Sequence, residues 1–145
     1  MSGKYLIDTS VWVDYFRDKD KELNDFIDQL IGEDRVYING IIRSELLIGT
    51  KTQKEYDSVK ESLDCFHTLN LDDHVFDETS KVGFQLKRKG ITVPLSDLMI
   101  AVQCFHHQLI LIEKDRHYEK IKECLDFTLY SSPPETDQTT TEIMS

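Results

Sequence analysis

Leu109–Ile112 reads Leu-Ile-Leu-Ile, four residues with no polar position. A strand with one wet face alternates apolar and polar side chains, so an unbroken apolar run marks a strand covered on both faces. Tyr5–Ile7 has the same character, and Val36–Ile38 gives a further short strand. Helical spacing fills the intervals. Leu23, Phe26, Ile27, Leu30 and Ile31 recur three and four apart, as do Val75, Phe76, Thr79, Val82, Gly83 and Leu86. The pattern predicts helices over 10–16, 21–31, 41–49 and 54–66, then from Asp72 to Gly90, over 97–106 and over 116–124. Asp72 and Ser96 are the expected caps of the fifth and sixth, and Asp8, Thr9 or Ser10 that of the first. Extended segments near 68–71 and 127–130 complete the alternation. Strands alternating with helices predict an α/β fold, a three-layer α/β/α sandwich around a mostly parallel sheet.

That frame occupies residues 1–130 as one domain. From Ser131 the chain is rich in Ser, Pro and Thr, lacks apolar periodicity and carries Glu135, Asp137 and Glu142 with no basic residue. It reads as a disordered acidic tail, residues 131–145. The net charge of −10 excludes a nonspecific nucleic-acid coat, which needs a basic field. No apolar run approaches the ~20 residues of a bilayer span, and the N-terminus has no secretory pattern. The expectation is a cytoplasmic protein with no membrane partner. Three cysteines without a Cys-x-x-Cys pair read as buried free thiols. His106 and His107 are adjacent, cannot share a helix face, and read as surface residues.

Topology gathers carboxylates. Asp8 follows the first strand and Asp115 follows the Leu109–Ile112 strand, so both lie at the C-terminal edge of a parallel sheet. Asp97 opens a helix whose far end leads into that same strand, which returns Asp97 to the same edge. Glu45 has Ile41, Ile42, Ile48 and Gly49 at i−4, i−3, i+3 and i+4, a charge within an apolar stripe that predicts burial. A buried carboxylate is paired, protonated or bound to a cation. Four acids with no lysine or arginine fixed among them favour a divalent ion, and oxygen donors favour Mg²⁺ or Mn²⁺ over zinc. Such an ion activates water against a phosphodiester. Each acid also has a simpler reading. Asp8 caps a helix, Asp97 meets a helix dipole, Asp115 makes a turn, and Glu45 pairs with a cation. Ser10 is a cap or a hydroxyl supporting Asp8.

Four stretches, YLIDTSVWVDYF, SELLIGT, KGITVPLSDLMIAV and LILIEKDRHYEKI, stand in order across residues 4–130. In this the chain resembles the PIN-domain ribonucleases, and among them the VapC-type toxins of toxin–antitoxin pairs. The stretches carry Asp8 with Ser10, Glu45, Asp97 and Asp115 at the family's acidic positions. Tyr118 stands where phenylalanine is usual, and Glu113 where a small polar residue is common. The resemblance implies a Mg²⁺- or Mn²⁺-dependent endoribonuclease, an RNA substrate, a homodimer, and a cognate antitoxin whose tail covers the active-site cleft. Arg17, Arg43, Lys87, Arg88, Lys89, Lys114 and Arg116 are the candidate phosphate contacts. The alternative is a catalytically silent PIN-like module that binds a protein partner. A receiver-type regulator needs an acidic pair after its first strand, and a haloacid-dehalogenase-like phosphatase an acid at position 10. Thr9 and Ser10 meet neither requirement.

Overall fold

The computed structural model describes residues 3–130, so the expected tail lies outside the described residues. Five strands form one sheet: β1 (Tyr5–Ile7), β2 (Val36–Asn39), β3 (His67–Leu69), β4 (Ile110–Ile112) and β5 (Thr128–Leu129). Their order is β3-β2-β1-β4-β5 and every pairing is parallel, so the sheet is wholly parallel. Tyr5 aligns with Ile110, Leu6 with Leu111 and Ile7 with Ile112. Leu6, Ile7, Ile38 and Leu111 are fully or almost fully shielded from water, as strands covered on both faces require.

Among the described residues seven helices supply the cover: α1 (Thr9–Phe16), α2 (Lys21–Gly32), α3 (Gly40–Ile48), α4 (Gln53–Leu63), α5 (Asp73–Arg88), α6 (Leu95–His107) and α7 (His117–Ile121). From β1 the chain steps outward through β2 to β3, then crosses back to β4 on the other side of β1. Right-handed crossovers made in opposite directions put their helices on opposite faces. Accordingly α1, α3 and α4 pack together, and α5, α6 and α7 pack together. Gly83 makes the α5–α6 contact close, for a Cβ there would lie 3.2 Å from the Leu98 side chain. Gly90 ends the turn after α5 at φ +80°, a backbone region that side chains disfavour.

Local chemistry accounts for most boundaries. Asp72 caps α5 by accepting from the Val75 amide at 3.1 Å, as expected. Asn39 caps α3 through the Ile42 amide at 2.9 Å. Other expectations need correction. Helix α6 begins at Leu95 behind Pro94, so Ser96 lies inside it and is not its cap. Proline has a fixed φ and suits the entry to a helix. The last helix spans only five residues, His117–Ile121, because the segment after it turns. Cys104 is buried and Cys124 half-buried, but Cys65 is exposed. His107 is exposed, whereas His106 is half-buried and packs on His74 with ring centroids 4.4 Å apart. Among the described residues no helix is long and apolar enough to cross a membrane.

Candidate metal centre

In this strand order the direction of connection reverses between β1 and β4. Open parallel sheets bind ligands at such a switch point, outside the carboxyl ends of the strands. Asp8 directly follows β1, and its amide donates to the Ile112 carbonyl at 2.9 Å. The first acid is thereby tied to the strand that leads to Asp115. Asp8 follows Ile7 as Glu113 follows Ile112, the register partner of Ile7.

Asp8 occupies the N-cap position of α1, yet its side chain makes no capping hydrogen bond. The carboxylate is instead 7% exposed and accepts from the Tyr118 hydroxyl at 3.1 Å. The same hydroxyl donates to Asp97 at 3.3 Å. Asp97 lies in the first turn of α6. Its other oxygen is 3.0 Å from His117 Nδ1, and that nitrogen is 3.1 Å from Asp115. Asp115 also accepts from the His117 amide at 3.0 Å, so its expected turn forms and still leaves it facing the group. Asp8, Asp97 and Asp115 are thus brought together through two adjacent residues, His117 and Tyr118.

Glu45 differs from expectation. It is exposed, and its neighbour Ile48 is 83% exposed. The inward side of α3 is set by Ile42 and Leu46, which turns Glu45 out of the core. Its link to the others runs through Thr9, whose hydroxyl donates to it at 2.6 Å, and through its charge, which is felt at Asp8. Ser10 stands in the first turn of α1, and among the described residues its buried Oγ has no hydrogen-bond partner.

The electrostatics are those of acids confined together. Burial, chiefly, pushes the Asp8 carboxyl up to about 6, and the charges of Asp97 and Glu45 push the same way. Hydrogen bonds from the Thr9 amide and from Tyr118 oppose this. Asp97 is raised by burial and by Asp115, and Glu113 by burial and by Glu119, Asp8 and Asp115. Burial beside Asp8 and Asp97 raises Tyr118 far enough to keep its hydroxyl protonated, so it donates. Lysine and arginine do not relieve the repulsion. Arg43 pairs with Asp64 and Lys114 with Asp14, and among the described residues no lysine or arginine pairs with Asp8, Glu45, Asp97 or Asp115.

A pH dependence follows. Asp8 titrates higher in the folded chain than unfolded, so its contribution favours folding at low pH and is lost as pH rises through about 6. Metal-free protein is therefore expected to lose up to about 3 kcal/mol between about pH 4 and 7 from this group. Urea titrations at fixed pH values measure it.

The donor set fits a divalent cation. Its oxygens come from mutually repelling carboxylates, Ser10 adds an unengaged buried hydroxyl, and Asp97, Asp115 and His117 offer donor atoms within 4.8 Å of one another. A parallel sheet whose switch point gathers such acids is the frame of a metal-assisted hydrolase. The chain belongs to the PIN-domain family, which matches residues 5–123. Ribonuclease VapC1 of Methanocaldococcus jannaschii is 30% identical over 122 residues, 83% of each chain. A VapC ribonuclease of Mycobacterium bovis is 27% identical over 120 residues, 80% of this chain and 90% of that one. DNA-bound VapBC from Salmonella typhimurium has the same fold, with a TM-score of 0.74 at 19% identity over 90% of this chain and 98% of that one.

Sequence reasoning missed two contributors. His117 lies beside the expected Asp115, but nothing in the order Asp-Arg-His announces that the ring turns back between two carboxylates. Thr9 was weighed only as a cap. Its real partner is 36 residues away, a separation that helical and strand periodicity cannot read.

Proposed function

We propose that this chain is a divalent-metal-dependent endoribonuclease, the toxin of a toxin–antitoxin pair, with Asp8, Glu45, Asp97 and Asp115 holding Mg²⁺ or Mn²⁺. The observation that carries the reading is the meeting of Asp8, Asp97 and Asp115 at the β1–β4 switch point with no lysine or arginine paired to them among the described residues. When bound, the ion orients a water, lowers its pKa and stabilises charge on a phosphoryl oxygen.

The chain's residues prepare that site. The single hydroxyl proton of Tyr118 is shared between Asp8 and Asp97, which ties the two carboxylates together. Thr9 holds Glu45 at the mouth by its hydroxyl. Ser10 supplies a hydroxyl free to accept or donate in the same turn. Beside Glu45 runs a groove of about 670 Å³ lined by Phe16, Arg17, Lys51 and Lys54 among others. It offers cationic groups to RNA phosphates although the whole chain is acidic, since local potential does the steering. Arg43 and Lys114 are engaged with Asp64 and Asp14, which shifts this role towards Arg17. Single-stranded loops of a structured RNA suit the site, because their bases and backbone are accessible.

The ribonuclease names of the VapC relatives and the VapBC complexes among the similar structures support an RNA substrate and an antitoxin partner. A homodimer in the cytoplasm, with the nuclease domain over residues 1–130, completes the proposal. Purified protein is expected to cut RNA internally with Mg²⁺ or Mn²⁺, to stop when EDTA removes the ion, and to resume when it is returned. Mapping RNA ends beside Asp97→Asn checks this. No metal-dependent ends from wild type would favour the silent binding module instead.

A further inference from the structure

The acids account for four oxygen-bearing ligands, but the donor atom lying between two of them is a nitrogen. His117 Nδ1 is 3.0 Å from Asp97 and 3.1 Å from Asp115, and all three donor atoms lie within 4.8 Å of one another. The ring is not buried in the core: its side chain is 39% exposed. Its orientation is set by the chain, for the His117 amide is bonded to Asp115 and the following residue, Tyr118, is locked into the core between Asp8 and Asp97. The ring is therefore held at the edge of the carboxylate group by its own backbone.

Two donors bound at right angles to an ion at about 2.1 Å lie about 3.0 Å apart. The spacing of Nδ1 from the two carboxylates thus serves a shared divalent ion as well as a shared proton. In the tautomer that keeps its proton on Nε2, Nδ1 presents a lone pair to the site.

We infer that His117 is a direct nitrogen ligand of the divalent ion, and that it biases the centre towards Mn²⁺ over Mg²⁺. The inference rests on the metal-nuclease reading above and deepens it. Mg²⁺ prefers oxygen donors and keeps much of its water, whereas imidazole suits first-row transition ions. Exchanging the ring for an oxygen donor should penalise Mn²⁺ and spare Mg²⁺. If His117 only clamped Asp97 to Asp115, losing it would weaken both ions alike.

The experiment reads binding, not cleavage. Wild-type protein loaded with Mn²⁺ is examined by pulsed electron paramagnetic resonance, with histidine labelled with ¹⁴N or ¹⁵N. A nitrogen coupling that changes with the label is expected, and it is expected to vanish in His117→Asn. Calorimetric titrations with Mn²⁺ and with Mg²⁺ accompany it. His117→Asn should weaken Mn²⁺ binding roughly tenfold or more, by analogy with the loss of a metal-orienting partner, and change Mg²⁺ binding less than threefold. Mn²⁺ bound without histidine coupling, or equal weakening of both ions, overturns the ligand role and leaves the metal centre standing. No binding of either ion to wild type overturns both.

Discussion

Asp8→Asn is expected to reduce metal-dependent RNA cleavage by at least about 10³-fold while making the metal-free protein more stable above pH 7. The activity loss follows from removing the most deeply buried carboxylate of the group, which deprives a bound ion of a charge that no neighbour replaces. The gain in stability follows from the same burial. Asp8 is pushed up to about 6 by its surroundings, so folding at pH 8 forces an ionised group into a site that resists it. An amide of the same shape carries no such cost. Asp8→Asn should raise the melting temperature of the metal-free protein by several degrees at pH 8, from a gain of about 1–3 kcal/mol. At pH 4 the difference should nearly close, because wild-type Asp8 is then protonated as well. Thermal melts at the two pH values with EDTA, beside a cleavage assay, make the check. Cleavage retained by purified Asp8→Asn would point to a contaminating nuclease or to a different site. Equal melting temperatures at pH 8 would mean that the carboxylate is better solvated than its 7% exposure implies.

The second large effect concerns stability alone. Asn39 is fully buried at the end of β2, and its amide nitrogen donates to Gln103 of α6 at 2.7 Å. Its amide oxygen caps α3, and Gln103 in turn donates to the Asn70 carbonyl at 3.1 Å. One side chain therefore joins the sheet to the helix that bears Glu45 and the helix that bears Asp97. Asn39→Ala removes a cap and leaves the Gln103 carbonyl oxygen buried without its donor. The expected loss is about 3 kcal/mol, the sum of an unsatisfied buried polar group and a missing cap. Urea unfolding in EDTA measures it without interference from metal. Asn39→Asp is a useful companion, because it keeps the acceptor for the cap and loses the donor to Gln103. A loss below about 0.5 kcal/mol in Asn39→Ala would show that water replaces both bonds.

The fold was largely legible because parallel strands covered on both faces leave an unmistakable trace. Leu109–Ile112 has no polar member, as a strand covered on both faces requires. Strand β3 was harder: His67 and Thr68 are exposed at the sheet edge, so its sequence carries little apolar signal. The start of α6 was misplaced because Ser96 has the chemistry of a cap, while the turn is made by Pro94. Three of the acids could be placed at one edge by topology, since each is pinned to the end of a strand or the start of a helix. Glu45 belongs near the same edge because its helix follows a strand, but its burial could not be read, because that depends on how α3 rolls against its neighbours. The apolar residues flanking it suggested burial, but Ile48 faces outward with it. His117 and Thr9 were invisible for a related reason. Short polar side chains reveal their partners only through tertiary contact, and no periodicity encodes that.

The pairing of Tyr5 with Ile110, and the bond from the Asp8 amide to Ile112, have a consequence for biosynthesis. The central strand leaves the ribosome well ahead of its neighbour on one side, which arrives more than a hundred residues later. Contacts of such long range close late and slow the search for the native chain. A nascent chain halted before Ile112 has half of its central ladder open and has not yet made Asp115. A product that stops short of Asp115 lacks one of the four acids proposed to hold the metal, and is expected not to cut RNA.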